Sequence, residues 1–130
     1  MNKYKVIALI GESGAGKDTL MRTFLTAVPF TLFNEIVSCT SRPPREGERN
    51  GVNYYFHTVQ EIEEKIKNNE MLEYAVFNNW YYGTSYSSMD REKINIGVFN
   101  IAGIKSLLDR EDVDLKVIYV RASAKERLIR

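Results

Sequence analysis

Val6-Ile7-Ala8-Leu9-Ile10 is a short, almost wholly apolar run stopped by Gly11. A strand covered on both faces has this texture, as in a parallel sheet. Leu20, Phe24, Leu25 and Val28 then recur at helical spacing until Pro29 ends the pattern. The texture changes over residues 37–89. Val37 to Ser41 opens that stretch and a turn-rich segment follows, Arg42-Pro43-Pro44-Arg45-Glu46-Gly47-Glu48-Arg49-Asn50-Gly51. Tyr54-Tyr55-Phe56 reads as strand, and Val59 to Lys67 as an amphipathic helix with Ile62 and Ile66 on its apolar side. Met71 to Phe77 reads as strand, with Asn78-Asn79 as a hairpin turn into Trp80-Tyr81-Tyr82. The first texture then returns: Gly97 to Ile101 and Leu115 to Val120 are strand-like, separated by a helix over Ile104 to Leu108. Ser123, with Glu126 three residues on, begins a capped helix within which the 130-residue chain stops, and the natural protein is expected to be longer.

Strands alternating with helices at both ends predict an α/β parallel sheet flanked by helices. The core takes residues 1–36 and 90–130, and residues 37–89 form a small, mostly antiparallel α+β insertion.

Between the first strand and the first helix lies Gly11-Glu12-Ser13-Gly14-Ala15-Gly16-Lys17. The pattern Gly-x-x-x-x-Gly-Lys needs its glycines because successive backbone N–H groups must turn inward around phosphate oxygens, where side chains would block the approach. The helix that follows adds its partial positive end. Lys17 supplies a point charge for the β- and γ-phosphates. Gly11, Ser13, Gly14, Ala15, Gly16, Lys17, Asp18 and Thr19 are therefore the candidate triphosphate site, with ATP as ligand, on a P-loop NTPase-like core. A Ser or Thr usually follows the lysine and contacts Mg²⁺. Asp18 stands there instead, so Asp18 (through water) or Thr19 is the candidate metal contact, and Asp18 also suits a first helical turn electrostatically.

Composition narrows the rest. Apolar residues make up 44% and charged residues 27%, as in an ordinary globular protein. A net charge of +1 gives no global field for nucleic acid or membranes, so anion binding must be local. The apolar run near the N-terminus is far too short to span a bilayer, and the single cysteine, Cys39, rules out an internal disulfide. A cytoplasmic location is expected. His57, the one histidine, has no partner at catalytic spacing, and Tyr55, Phe56, Trp80 and Tyr81 read as core.

Arg42 and Arg45 flank a diproline, which favours a helix of about three residues per turn, so both guanidinium groups leave the same side and can meet one phosphate. Two solvated arginines in a basic loop is the competing reading. Ser38 to Glu48, Gly51-Val52-Asn53-Tyr54-Tyr55-Phe56, Glu70-Met71-Leu72-Glu73-Tyr74-Ala75 and Tyr81-Tyr82-Gly83-Thr84-Ser85 resemble the guanylate kinase family in order and spacing. The resemblance extends from about Val6 to Val120. It implies that the insertion binds GMP or dGMP: Arg42, Arg45, Tyr54 and Tyr82 on the phosphate, Ser38 and Thr84 on the guanine, and Glu73 beneath its Watson–Crick edge. A carboxylate accepts from both guanine N1–H and the N2 amino group. Adenine offers an acceptor at N1 and has no N2 amino group, which leaves a buried acceptor unpaired.

The implied activity is transfer of the ATP γ-phosphoryl group to GMP or dGMP with Mg²⁺, with Lys17, Arg42 and Arg45 as the catalytic cations. It requires the two anion sites to face each other across one cleft. The chain departs from the family twice. Where the family carries Asp-x-Asp, this sequence has Val98 and Asn100, so Asn100 is a candidate guanine contact that brings no charge. The family's mobile lid, with its arginines, is expected to be missing beyond Arg130. Two alternatives stay open: a non-catalytic nucleotide- or protein-binding module, and a kinase of the same fold with another phosphorylated acceptor.

Overall fold

The computed structural model describes residues 3–11, 16–26 and 32–121, without the side chains of Asp18 and Phe24. It divides into two compact units, Met1–Glu35 with Asp90–Arg130, and Ile36–Met89.

In the first unit, strand β1 (Tyr4–Gly11) lies between two parallel neighbours. These are β7 (Ile94–Val98) and β8 (Val113–Val120), with Lys5 opposite Ile94 and Tyr4 opposite Val113. The short strand β2 (Phe33–Glu35) extends the sheet beyond β7, giving the all-parallel order β2-β7-β1-β8. A strand flanked on both sides and covered on both faces must be apolar where it is covered, and beyond the exposed Lys5 the strand is Val6 to Ile10, with Val6, Ala8 and Leu9 fully buried. Helix α1 (Lys17–Thr26) follows β1, and helix α3 (Ile101–Leu108) joins β7 to β8.

Asn95, fully buried on β7, holds this unit together. Its carboxamide oxygen accepts from Asn34 Nδ2 at 2.8 Å and from the Asp90 backbone N–H at 2.8 Å. Its Nδ2 donates to the carbonyls of Lys5 at 3.0 Å and Asp90 at 2.8 Å. The amide is thus satisfied on both sides, as a buried polar group must be.

The second unit is a mixed sheet of order β4-β3-β6-β5. Its strands are β3 (Cys39–Thr40), β4 (Tyr55–Phe56), β5 (Met71–Phe77) and β6 (Trp80–Ser85). Three strands pair antiparallel, while β3 and β4 run parallel. The β5–β6 turn is Asn78-Asn79, both in the left-handed region at φ 51° and 68°, which two-residue hairpin turns require. Helix α2 (Val59–Lys67) starts with a reciprocal cap. Thr58 Oγ1 accepts from the Glu61 N–H at 3.1 Å, and Glu61 Oε1 accepts from the Thr58 N–H at 2.8 Å. Ile62 is its fully buried anchor.

Two expectations need correction, and one strand was not expected. The strand expected over Gly97–Ile101 runs instead over Ile94–Val98, because Asn100 caps α3 and Ile101 is already helical. Strand β2 went unforeseen: three residues, two of them polar, carry no usable periodicity. The insertion's sheet is mostly antiparallel, as expected, with β3 and β4 as its one parallel pair. Tyr55, Phe56, Trp80 and Tyr81 are half-buried or exposed rather than core, since one thin sheet with one helix cannot enclose four large rings. The helix read from Ser123 lies outside the described residues.

Replacing Asn95 by Ala strands two donors and two carbonyl acceptors around a buried void. Stability should fall by about 2–4 kcal/mol, read as a lower urea midpoint at unchanged slope. Loss of under about 0.5 kcal/mol would show that water or relaxation replaces the network.

Candidate functional site

The first group of candidate residues lies where β1 meets α1. Gly11 closes β1 beside Val120 of β8, and a Cβ there would collide with the Val120 carbonyl. Gly16 has φ +88°, a conformation L side chains rarely adopt, and its carbonyl starts the helical ladder by accepting from Leu20 N–H at 2.9 Å. Lys17, the first helical residue, is half-buried and donates from Nζ to the Gly11 carbonyl at 2.9 Å. The lysine therefore spans the glycine loop from its far end back to its start. Ser13, Gly14 and Ala15 lie outside the described residues, as does the side chain of Asp18. Thr19 is exposed in the first turn of α1. No cluster of three or more His, Cys, Asp or Glu among the described residues is arranged to hold a metal ion. An exposed hydroxyl beside a phosphate loop suits Mg²⁺, which keeps waters and takes substrate phosphate oxygens in place of a protein cage.

The second group belongs to the second unit, and strand register explains much of its assembly. Residues directly opposite in an antiparallel pair share a face. Glu73 stands opposite Thr84, Ala75 opposite Tyr82, and Thr40 opposite both Tyr82 and Phe56. Those residues line one face. The other face carries α2, where the Tyr81 hydroxyl donates to Glu63 at 3.2 Å and Lys65 Nζ to Ser85 Oγ at 3.4 Å. Thr84 and Tyr82 are two residues apart on β6, hence about 7 Å apart along the strand.

Arg42 and the aromatic residues form one end of this arrangement. Arg42 is buried, its Cζ 5.3 Å from the Tyr54 ring centre and 6.0 Å from that of Phe56. The Tyr54 ring meets Tyr82 edge-on at 6.0 Å. Glu48 grips the guanidinium with both oxygens, Nη1 to Oε1 at 2.9 Å and Nη2 to Oε2 at 3.0 Å. The same Oε1 accepts from the Arg45 backbone N–H at 2.7 Å. Arg42, foremost through that hydrogen bond, and then the Arg45 amide pull the Glu48 carboxyl down to about 2. Arg42 is held above its ordinary value, by Glu48 first and with the Tyr82 hydroxyl adding to it. The pair's stabilising contribution is fully present above the unfolded carboxylate value of 4.5 and is lost as pH falls toward about 2. The Arg45 side chain is exposed.

At the other end, burial pushes the Glu73 carboxyl above its usual range, while the Thr84 hydroxyl and backbone amide pull it partway back. Ser38, half-buried, accepts through its carbonyl from Tyr55 N–H at 2.9 Å. Asn100, grouped with these by resemblance, belongs to the first unit, where its Oδ1 accepts from Gly103 N–H at 2.8 Å as the α3 cap. Glu48 was absent from the sequence-derived site. A carboxylate six residues after an arginine in a turn-rich loop was the available signal, but spacing alone does not fix an ion pair in irregular backbone.

A guanylate kinase family profile matches residues 3–130. The chain belongs to the guanylate kinase family. A guanylate kinase of Listeria monocytogenes is 44% identical over 93 residues, covering 72% of this chain and 44% of that protein. One of Fusobacterium nucleatum is 35% identical over 123 residues, covering 91% of this chain and 64% of that protein. The crystal structure of guanylate kinase from Anaplasma phagocytophilum has the same fold, at TM-score 0.62 and 22% identity, over 92% of this chain and 61% of that one. The chain thus spans under two thirds of the length of each of these relatives.

The close packing between β5 and β6 makes Gly83 a point of leverage on Glu73. A Cβ at Gly83 would lie 2.5 Å from the Glu73 carbonyl oxygen, 2.6 Å from Met71 Cε and 2.9 Å from Tyr74 Cβ. Gly83→Ala should cost about 1–3 kcal/mol, because the strand backbone itself has to move. Thermal melting of the variant beside the parent measures this, and an unchanged midpoint would show that β5 yields freely.

Proposed function

We propose that this member of the family is a nucleoside monophosphate kinase, transferring the γ-phosphoryl group of ATP to GMP or dGMP in the cytoplasm. The observation that carries the reading is the single sheet face of the second unit. Arg42, Tyr54 and Tyr82 gather at one end, and the Glu73–Thr84 pair stands about one strand repeat away. A nucleoside monophosphate has the complementary form, an anionic end and a base edge rich in donors. Glu73 accepts from guanine N1–H and N2–H₂, Thr84 and Ser38 add hydroxyl contacts, and Arg42, Arg45, Tyr54 and Tyr82 receive the phosphate.

Lys17 and the amides following Gly11 hold the donor triphosphate. Thr19, or Asp18 through water, would hold Mg²⁺, which would supply charge neutralisation on the ATP phosphates. Transfer of this kind depends on positioning and on charge stabilisation, so no side chain needs to act as nucleophile. The non-catalytic module gains nothing from the glycine loop, Gly16 at positive φ and Lys17 spanning it, which supports the kinase reading over it.

Calorimetric titration with GMP, dGMP, AMP and ATP tests this. GMP or dGMP should bind at least tenfold more tightly than AMP, and Glu73→Ala should remove that preference while leaving ATP affinity unchanged. Equal loss for both ligands would overturn the role of Glu73, and no preference for guanine would overturn the acceptor. Protonation of Glu73 turns an acceptor into a donor, so GMP affinity should fall as pH drops through its raised value, earlier than for an ordinary carboxylate. For stability the sign reverses. A carboxyl whose folded value lies above its unfolded one favours folding below the unfolded value and loses that contribution as pH rises through the folded one. Glu73→Gln should therefore leave the protein at least as stable at pH 7 while weakening GMP.

A further inference from the structure

Arginine presents two forked edges: the end edge formed by Nη1 and Nη2, and the side edge formed by Nε and Nη2. Glu48 occupies the end edge of Arg42 with two parallel bonds at 2.9 and 3.0 Å, and the Pro43 carbonyl takes a further Nη1 hydrogen at 3.0 Å. Neither of these groups uses the side edge, and the remaining hydrogen-bond partner of the guanidinium is the Tyr82 hydroxyl, itself one of the proposed phosphate contacts. The Tyr54 and Phe56 rings, 5.3 and 6.0 Å from Cζ, pack against the guanidinium. Glu48 is itself held, since its Oε1 also accepts from the Arg45 amide at 2.7 Å and its own N–H donates to the Arg45 carbonyl at 3.0 Å. The carboxylate is thus fixed in the loop that carries both arginines, with its side chain only 20% exposed.

We propose that Glu48 is a positioning residue for the acceptor phosphate. It locks the end edge of Arg42 so that the side edge, Nε with Nη2, is presented as a preformed two-pronged donor to a phosphate monoester. This inference rests on the proposed acceptor site, and it adds a residue that acts on substrate only through another. It also lowers the local charge: the three guanidinium groups of Arg42, Arg45 and Arg49 and the two carboxylates of Glu46 and Glu48 leave a single net positive charge in the loop, so recognition of the phosphate depends on geometry more than on summed charge. A glutamine cannot substitute. Its amide has one acceptor and one donor, and the donor would face an Arg42 N–H, turning the guanidinium away from its plane against the rings.

The test combines ligand choice with a double-mutant cycle, using calorimetry for GMP and ligand-observed NMR for guanosine, which has the same base and no phosphate. Glu48→Gln should weaken GMP about tenfold and leave guanosine unchanged; Glu48→Asp, which keeps the two oxygens, should recover part of the loss. Arg42→Lys should weaken GMP by itself, and adding Glu48→Gln to it should cost little more, because the group being oriented is gone. Equal weakening of GMP and guanosine, or full additivity with Arg42→Lys, would reduce Glu48 to a loop staple and overturn the proposal. GMP affinity unchanged in Glu48→Gln while Arg42→Lys abolishes it would overturn the proposal and leave the acceptor site standing. If Arg42→Lys is also without effect, the acceptor site itself falls, and this inference with it.

Discussion

The constraint on which the rest depends is the burial of β1 between two strands drawn from the far part of the sequence. A parallel sheet offers its central strand no local partner, so the place where β1 ends and α1 begins is held by β7 and β8 on either side. Asn95 makes that closure specific. An aliphatic residue in its place would allow neighbouring registers, whereas an amide that must satisfy β1, β2 and the Asp90 turn at once allows one. The position of Lys17 follows, since its bond to Gly11 presupposes a β1 that ends where it does.

The second unit solves a different problem with fewer means. Its sheet is short, one helix covers one face, and the other face carries the polar and aromatic groups that matter. Specificity there comes from pairing: Glu73 is set opposite Thr84 by the Asn78-Asn79 turn, which counts residues along both strands. The Arg42–Glu48 pair performs the corresponding task in the loop, where there is no ladder to fix side chains. Among the described residues no buried side-chain nitrogen or oxygen lacks a partner, so these placements carry little slack.

Much of this was legible in the sequence, and the physical reasons are specific. Strand β1 showed itself because burial on both faces demands an unbroken apolar run. Helix α2 did so because Ile62 and Ile66 repeat at helical spacing against charge, and the β5–β6 hairpin because Asn-Asn tolerates the left-handed backbone. Hidden features were those that depend on tertiary partners. Strand β2 is defined by its pairing with β7 and by the Asn34–Asn95 bond rather than by its own pattern. Asn100 looked like the end of a strand and is a helix cap. Ser123 and Glu126 drew notice as a capping pair, while Thr58 and Glu61, which form one in the structure, did not. For the site, the family motif brought forward the residues proposed to face ligand but gave no weight to Glu48, whose partner is another side chain.

The one thiol in the chain closes the account. Cys39 sits fully buried between Met71 Sδ at 3.9 Å and the Gly83 carbonyl at 3.5 Å, and desolvation raises its pKa to about 11. A protonated sulfur walled in by a sheet and a helix reacts with alkylating or disulfide reagents only when that packing comes apart. The protein therefore contains its own chemical clock for the 36–89 unit: the labelling rate of a single sulfur counts how often that sheet opens, and nothing in the other unit contributes to the signal.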